Sequence, residues 1–129
     1  MVKSFSVQAG EGKYTVSITA TATGDGIILQ LLGGEKPHVG AVVIGLPRPG
    51  LADPAQISCN SIVVPLLGHK DDEVAKPVAE RVARLCGQPV VVIAGIHVDQ
   101  ATGAEIDLLK ENTNMALDKL CGVFSGIIR

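Results

Sequence analysis

The sequence predicts a single α/β domain of the α+β kind over residues 1–129, with a mostly antiparallel central sheet of about six strands and two main helices. Three observations carry that expectation. From Thr15 to Thr23 apolar and hydroxyl side chains alternate almost strictly, which is the period of a half-exposed strand. From Glu73 to Leu85, Val74, Val78, Val82 and Leu85 recur at helical spacing. Pro89 to Ile96 is apolar at every position but Gly95, as expected for a strand covered on both sides in the middle of the fold. A chain of 129 residues suffices for one core but not two, and 47% hydrophobic content lets burial offset chain entropy.

Taken in order, a short strand is expected at about Lys3 to Gln8, followed by the alternating one. Gly24-Asp25-Gly26 tolerates positive φ and leads straight into the apolar run Ile27 to Leu32, so these two strands should form an antiparallel hairpin. Gly33 to Gly40 interrupts the pattern, Ala41 to Leu46 resumes it, and Pro47-Arg48-Pro49-Gly50 should end that strand. A further strand lies within Gln56 to Val64. The first helix starts either near Asp72, with Pro77 inside it, or near Lys76, with Pro77 in its first turn; Gly87 stops it. Thr102-Gly103-Ala104-Glu105 fits a capping box, and a longer final helix should begin near Asn112 or Thr113 and bury Ala116, Leu120 and Val123.

Composition removes several function classes. A net charge of −2 with scattered basic residues does not suit a phosphate backbone, and Phe5, Tyr14 and Phe124 are too few to form a stacking platform, so nucleic acid is not an expected partner. Cys59, Cys86 and Cys121 are odd in number and widely spaced, which predicts reduced, buried thiols. No apolar stretch approaches the ~20 residues of a membrane span and the start lacks a signal-like run, so a cytoplasmic location is expected.

Chemistry concentrates in punctuated segments. His38 follows Gly33-Gly34 and Pro37, His69 follows Gly68 and precedes Asp71, and His97 ends the buried strand just before Asp99. Imidazole is a common metal ligand, and Asp71, Asp99 or Glu105 could ligate or support it; each His alone is equally well read as a loop residue bonded to backbone or water. Gly33, Gly34 and Gly40 could admit a ligand against the backbone or simply make turns. The amides after Thr102 could hold a phosphate or only cap a helix. Neither GxGxxG, nor the P-loop pattern, nor GxSxG, nor HExxH occurs, so familiar catalytic machinery is absent.

Read together, Gly33-Gly34-Glu35-Lys36-Pro37-His38-Val39-Gly40, Gly68-His69-Lys70-Asp71-Asp72 and Ala94 to Thr102 resemble the LpdD-like family, the small D subunit of bacterial hydroxyarylic acid decarboxylases. The resemblance covers about Gly24 to Ile106 and takes in all three histidines in order. It implies a homodimer with a fold similar to proteasome-assembly chaperones. It also implies a chaperone that binds prenylated flavin mononucleotide and delivers it to, or matures it for, a UbiD-type decarboxylase. Gly33, Gly34, His38, Gly40, His69, His97, Asp99 and Thr102 become the candidate cofactor-binding residues, and His38, His69 and His97 the candidate ligands of a divalent metal. Two alternatives stand beside this: an assembly protein without cofactor, and a metal-dependent enzyme acting on a small anionic substrate.

Overall fold

The computed structural model describes residues 2–66 and 71–127. Among these, β1 (Lys3–Ala9), β2 (Val16–Ala22), β3 (Ile27–Gly34), β4 (Ala41–Pro49), β5 (Ile57–Pro65) and β6 (Val90–His97) form one sheet in the order β1-β2-β3-β6-β4-β5. Two helices, α1 (Asp72–Cys86) and α2 (Gly103–Ile127), pack on it. The β3–β6 pairing is parallel and the other neighbours pair antiparallel, in agreement with the expected sheet.

The strand register assembles the core row by row. Ile18, Leu31, Ala94 and Ala41 are neighbours across four strands, as are Ala20, Leu29, Val92 and Val43, and all eight are fully buried. That face is covered by α1 over β4, β5 and β6 and by α2 over β1 and β2. Its partners on the helices are Val78, Val82 and three alanines, Ala75, Ala79 and Ala83, from α1, and Leu117, Leu120 and Phe124 from α2. The small side chains let α1 lie close to the sheet: a Cβ at Gly45 would stand 2.9 Å from the Ala79 carbonyl oxygen.

Several expected boundaries move, each for a local reason. The capping box and the final helix are one element: Thr102 Oγ1 accepts the Glu105 N–H (3.2 Å), Glu105 Oε1 accepts the Thr102 N–H (3.0 Å), and α2 runs on unbroken, because nothing between Ile106 and Thr113 interrupts it. In that helix Val123 is exposed and Phe124 takes the core position, four residues beyond Leu120. On α1 it is Leu85 that lies exposed. This helix starts at Asp72 with Pro77 inside it, and Gly87, at φ 63°, closes it with its N–H on the Ala83 carbonyl.

Strand β3 continues through Gly33 and Gly34, and β4 continues through Pro47 and Pro49. The prolines fit because the even-numbered residues make the bonds to β5, as Gly40–Leu66 and Gly50–Gln56 show at either end of the pair. Pro47 and Pro49 fall on the other parity, and pairing with β6 stops at Gly45, so neither owes the sheet a donor. The thiols are free, with Cys121 buried but Cys59 and Cys86 only half-buried, contrary to the expectation for those two. Burial pushes the Cys86 thiol up to about 11, which keeps it protonated and unreactive.

One further expectation is corrected. Val91 and Ile93 of β6 are not covered by a second layer among the described residues; they are half-buried on a sheet face that bears no helix.

Phe124 is the largest fully buried side chain, and its ring meets Phe5 edge-on at 5.2 Å, which ties α2 to the outer strand β1. Phe124→Ala is therefore expected to lower unfolding stability by about 3–5 kcal/mol, read from urea titration of circular dichroism.

Candidate functional site

Strand order builds the site. Because β6 lies between β3 and β4, the connection from Gly34 to Ala41 has to cross the C-terminal end of β6, where His97 stands. The crossing is close-packed. Glu35 and Lys36 N–H both donate to the His97 carbonyl (2.8 and 3.2 Å), and Gly40 N–H donates to Ala94 O at 2.8 Å. A Cβ on Gly34 would collide with the His97 carbonyl, one on Gly95 with the His38 carbonyl, and one on Gly40 with Asp71 and His38. The glycines that could have admitted a ligand are thus filled by the protein's own chain; Gly33 likewise abuts Thr15 and Val16.

This crossing brings the His38 and His97 rings edge to face with centroids 6.1 Å apart. Each has its own carboxylate. His38 Nδ1 donates to the Lys36 carbonyl at 2.9 Å, and its Nε2 faces Asp71 Oδ2 at 3.0 Å. His97 Nε2 faces Asp99 Oδ1 at 3.0 Å. Asp71, just before α1, is buried, and its Oδ1 accepts the Ile96 N–H at 2.9 Å. There it takes the place of the ladder acceptor that β4 would have supplied had the chain not turned away at Gly40. Asp99 is also held by Lys36 Nζ at 2.9 Å, and its N–H reaches Glu35. The hydrogen bond from Lys36, and then that from His97, keep the Asp99 carboxyl below the usual range, while Asp99 raises Lys36.

Both His38 ring nitrogens thus lie against oxygen atoms of the protein itself. Among the described residues no group of three or more His, Cys, Asp or Glu side chains is arranged to hold a metal, and His69, the remaining candidate ligand, lies outside the described residues. The donor set on view does not fit a metal centre.

A cavity of about 360 Å³ opens beside this crossing, between the start of α1, the end of β6 and the first turns of α2. Val74, Ile96, Val98, Ile106 and Leu109 form its apolar walls, and Asp71, Glu73, His97, Lys110 and Thr113 its polar positions. The Thr113 hydroxyl is already spent on the Leu109 carbonyl (2.8 Å). Of the expected site residues described, His97 lines the cavity; Gly33, Gly34, His38, Gly40, Asp99 and Thr102 stand behind or beside it. Lys110 and Glu73 escaped sequence reasoning. The missed signal was the helix start at Thr102, which places Ile106, Lys110 and Thr113 at i, i+4 and i+7 on one face.

Glu105, a candidate metal support, points elsewhere. It accepts the Tyr14 hydroxyl at 2.6 Å and the Thr102 N–H and lies 3.6 Å from Lys13, fastening the β1–β2 connection to the start of α2. The Tyr14 bond first, and the Thr102 amide next, hold its carboxyl at about 2. Its ionised form therefore stabilises the fold above the unfolded value of 4.5, and that contribution disappears as pH falls from 4.5 towards 2. Glu105→Gln is expected to lower the melting temperature at pH 7, with the gap to wild type closing at about pH 2–3; a gap constant across this range contradicts the charge-based role.

No helix among the described residues is long and apolar enough to cross a membrane. No curated protein matches the chain. Among solved structures it is similar to a chain of a chaperone complex for yeast 20S proteasome assembly, at 19% identity and a TM-score of 0.62, with 99% of this chain and 98% of that one covered. That likeness confirms the fold expected from the sequence. A family model, the prenylated flavin chaperone LpdD-like domain, matches residues 10–125 and so takes in α1, all but the last two residues of α2 and every residue lining the cavity. The chain belongs to the prenylated flavin chaperone LpdD-like family.

Proposed function

We propose that this chain binds a prenylated flavin mononucleotide in the cavity between α1, β6 and α2 and hands it to, or matures it for, a UbiD-type decarboxylase. The observation that carries the reading is the pairing of an apolar cavity with two cation-capable groups, His97 and Lys110, on its wall. The aliphatic side chains of Val74, Val98, Ile106 and Leu109 suit a flat apolar ring system in a chain that has no aromatic side chain there. Lys110 supplies a point charge for the phosphate, and His97 a ring whose orientation Asp99 and Lys36 maintain. Asp71 and Glu73 repel an anion, so the phosphate belongs at the Lys110 end, and the ring N–H groups of a flavin face the carboxylates.

In this role no residue has to act as a nucleophile or general base. The bound flavin supplies the redox chemistry its client needs; the residues of this chain bind it, orient it and exclude water. His38 is then a positioning residue, which holds Asp71 on the cavity wall from behind.

The test is anaerobic titration of the purified chain with prenylated flavin mononucleotide, followed by flavin fluorescence. His97→Ala and Lys110→Ala are each expected to weaken binding roughly tenfold, the loss of one charge-assisted contact. Lys76→Ala, on the exposed side of α1, leaves it unchanged. Repeating the titration with a divalent cation reads whether His69 and His97 recruit a metal. No saturable binding under either condition sinks the proposal, and faster activation of an apo-decarboxylase by the loaded chain than by free cofactor supports delivery.

A further inference from the structure

The sheet ends in two edge strands, β1 and β5, and they are finished differently. An edge strand presents a row of unpaired amides and carbonyls, which proteins commonly blunt with lysines, prolines, bulges or a short strand. At β1, Lys3 opens the strand, and Lys119 reaches over from α2 to donate to the Gln8 carbonyl at 2.7 Å. At β5 none of these devices interrupts the row. Its nine residues pair with β4 without a bulge, none of them is charged, and the sole proline, Pro65, comes last. Since the even-numbered residues make the bonds to β4, the N–H groups of Ile57, Cys59, Ser61 and Val63 point to the outer side, where no described segment pairs with them.

One side chain of this strand is incomplete as well. Ser61 pairs with Gly45, which faces Ala79 of α1, so it stands on the helix side. Its Oγ is buried with no hydrogen-bond partner among the described residues, a costly state for a hydroxyl. Elsewhere the same sheet satisfies its hydroxyls across strands, Ser4 with Thr21 at 3.0 Å and Ser6 with Thr19 at 2.8 Å. On the other face of β5, Ile62 and Val64 are 49% and 50% exposed.

We propose that β5 accepts an extended segment of another protein as a further strand, and that this segment alternates aliphatic and hydroxyl side chains. The outer row of backbone groups supplies the attachment, and the alternation supplies the fit. Successive residues of an added strand point to opposite faces of the sheet. A Ser or Thr turned to the helix side meets the Ser61 hydroxyl, as Thr19 meets Ser6 across β1 and β2. The aliphatic residues between, turned to the other side, extend the rows that end in Ile62 and Val64. No residue of β5 lines the cavity, so the edge can be occupied while the cavity is.

This inference does not rest on flavin binding. The probe is a fluorescein-labelled synthetic peptide with the sequence of Thr15 to Thr23, which is uncharged and alternates hydroxyl and aliphatic residues. Titration with the full chain, followed by fluorescence anisotropy, is expected to show saturable binding. Ser61→Pro removes one outer amide and no bond to β4, and should abolish binding. Ser61→Ala should weaken it roughly fivefold, while the free chain melts no lower than wild type because no bond is lost. A second measurement needs no variant. N-methylation of the peptide at its hydroxyl residues, or at its aliphatic ones, should abolish binding in one case and spare it in the other, because only one set of amides faces β5. Absence of saturable binding overturns the proposal, as does binding that persists in a folded Ser61→Pro variant, is indifferent to Ser61→Ala, or survives both methylations. A wild-type dimer in sedimentation that Ser61→Pro converts to a monomer would assign the edge to a second copy and overturn it as well.

Discussion

Strand β6 is the last to be made and lies between β3 and β4, two strands made long before it. The segment joining those two must therefore pass over the end of β6, and the rest of the site depends on how that crossing is packed. Three glycines, Gly34, Gly40 and Gly95, stand where the passing chains leave no room for a Cβ. The buried Asp71 carboxylate completes the crossing, since it satisfies the Ile96 amide that the departing strand leaves behind and engages the His38 ring that the crossing segment brings in. A glycine-rich, histidine-bearing stretch is thus first a solution to a crossing problem, and it supports the cavity only through Asp71 and His97, which line it.

The electrostatics follow the same division of labour. His38 and His97 are each matched with a carboxylate, and each carboxylate has a second partner, an amide for Asp71 and an ammonium for Asp99. Such pairs fix ring orientation, because a carboxylate in contact with a ring nitrogen resists rotation of the ring. What they do not do, among the described residues, is gather three or more such side chains around one point where a metal could sit. The groups with capacity to meet a ligand lie on the cavity wall, Lys110 from α2 and the face of His97 from β6, and they reach it from elements held rigidly by the core.

The two faces of the sheet divide the molecule's tasks. The helix side combines a core filled by alanines, valines and leucines with the cavity at its upper end. The open side carries hydroxyl pairs at one edge and an aliphatic field over the rest. Exposed apolar surface on this scale is costly in water and is associated with contact surfaces. The cavity on one side and the aliphatic field on the other thus lie on separate faces of the sheet.

Much of the fold was readable because it is governed by local periodicity. The alternation of Thr15 to Thr23, the turn at Gly24-Asp25-Gly26, the stripe on α1 as far as Val82 and the capping box at Thr102 each depend on residues within a few positions of one another, and each formed as the pattern dictates. The three motif segments identified the family, which the match over residues 10–125 bears out. The misplaced strand ends share one cause. Pro47 and Pro49 remain in β4, and Gly33 and Gly34 in β3, because of which neighbour each strand edge has or lacks, a property of the sheet and not of the segment. The same holds for the site. His38 and His97 are fifty-nine positions apart, Lys110 lies on a helix face that turns inward only once α2 is seen to start at Gly103, and Asp71 meets His38 from thirty-three positions away. Contacts of that kind are decided by strand order, which the chain settles through long-range packing after its local structure is already written.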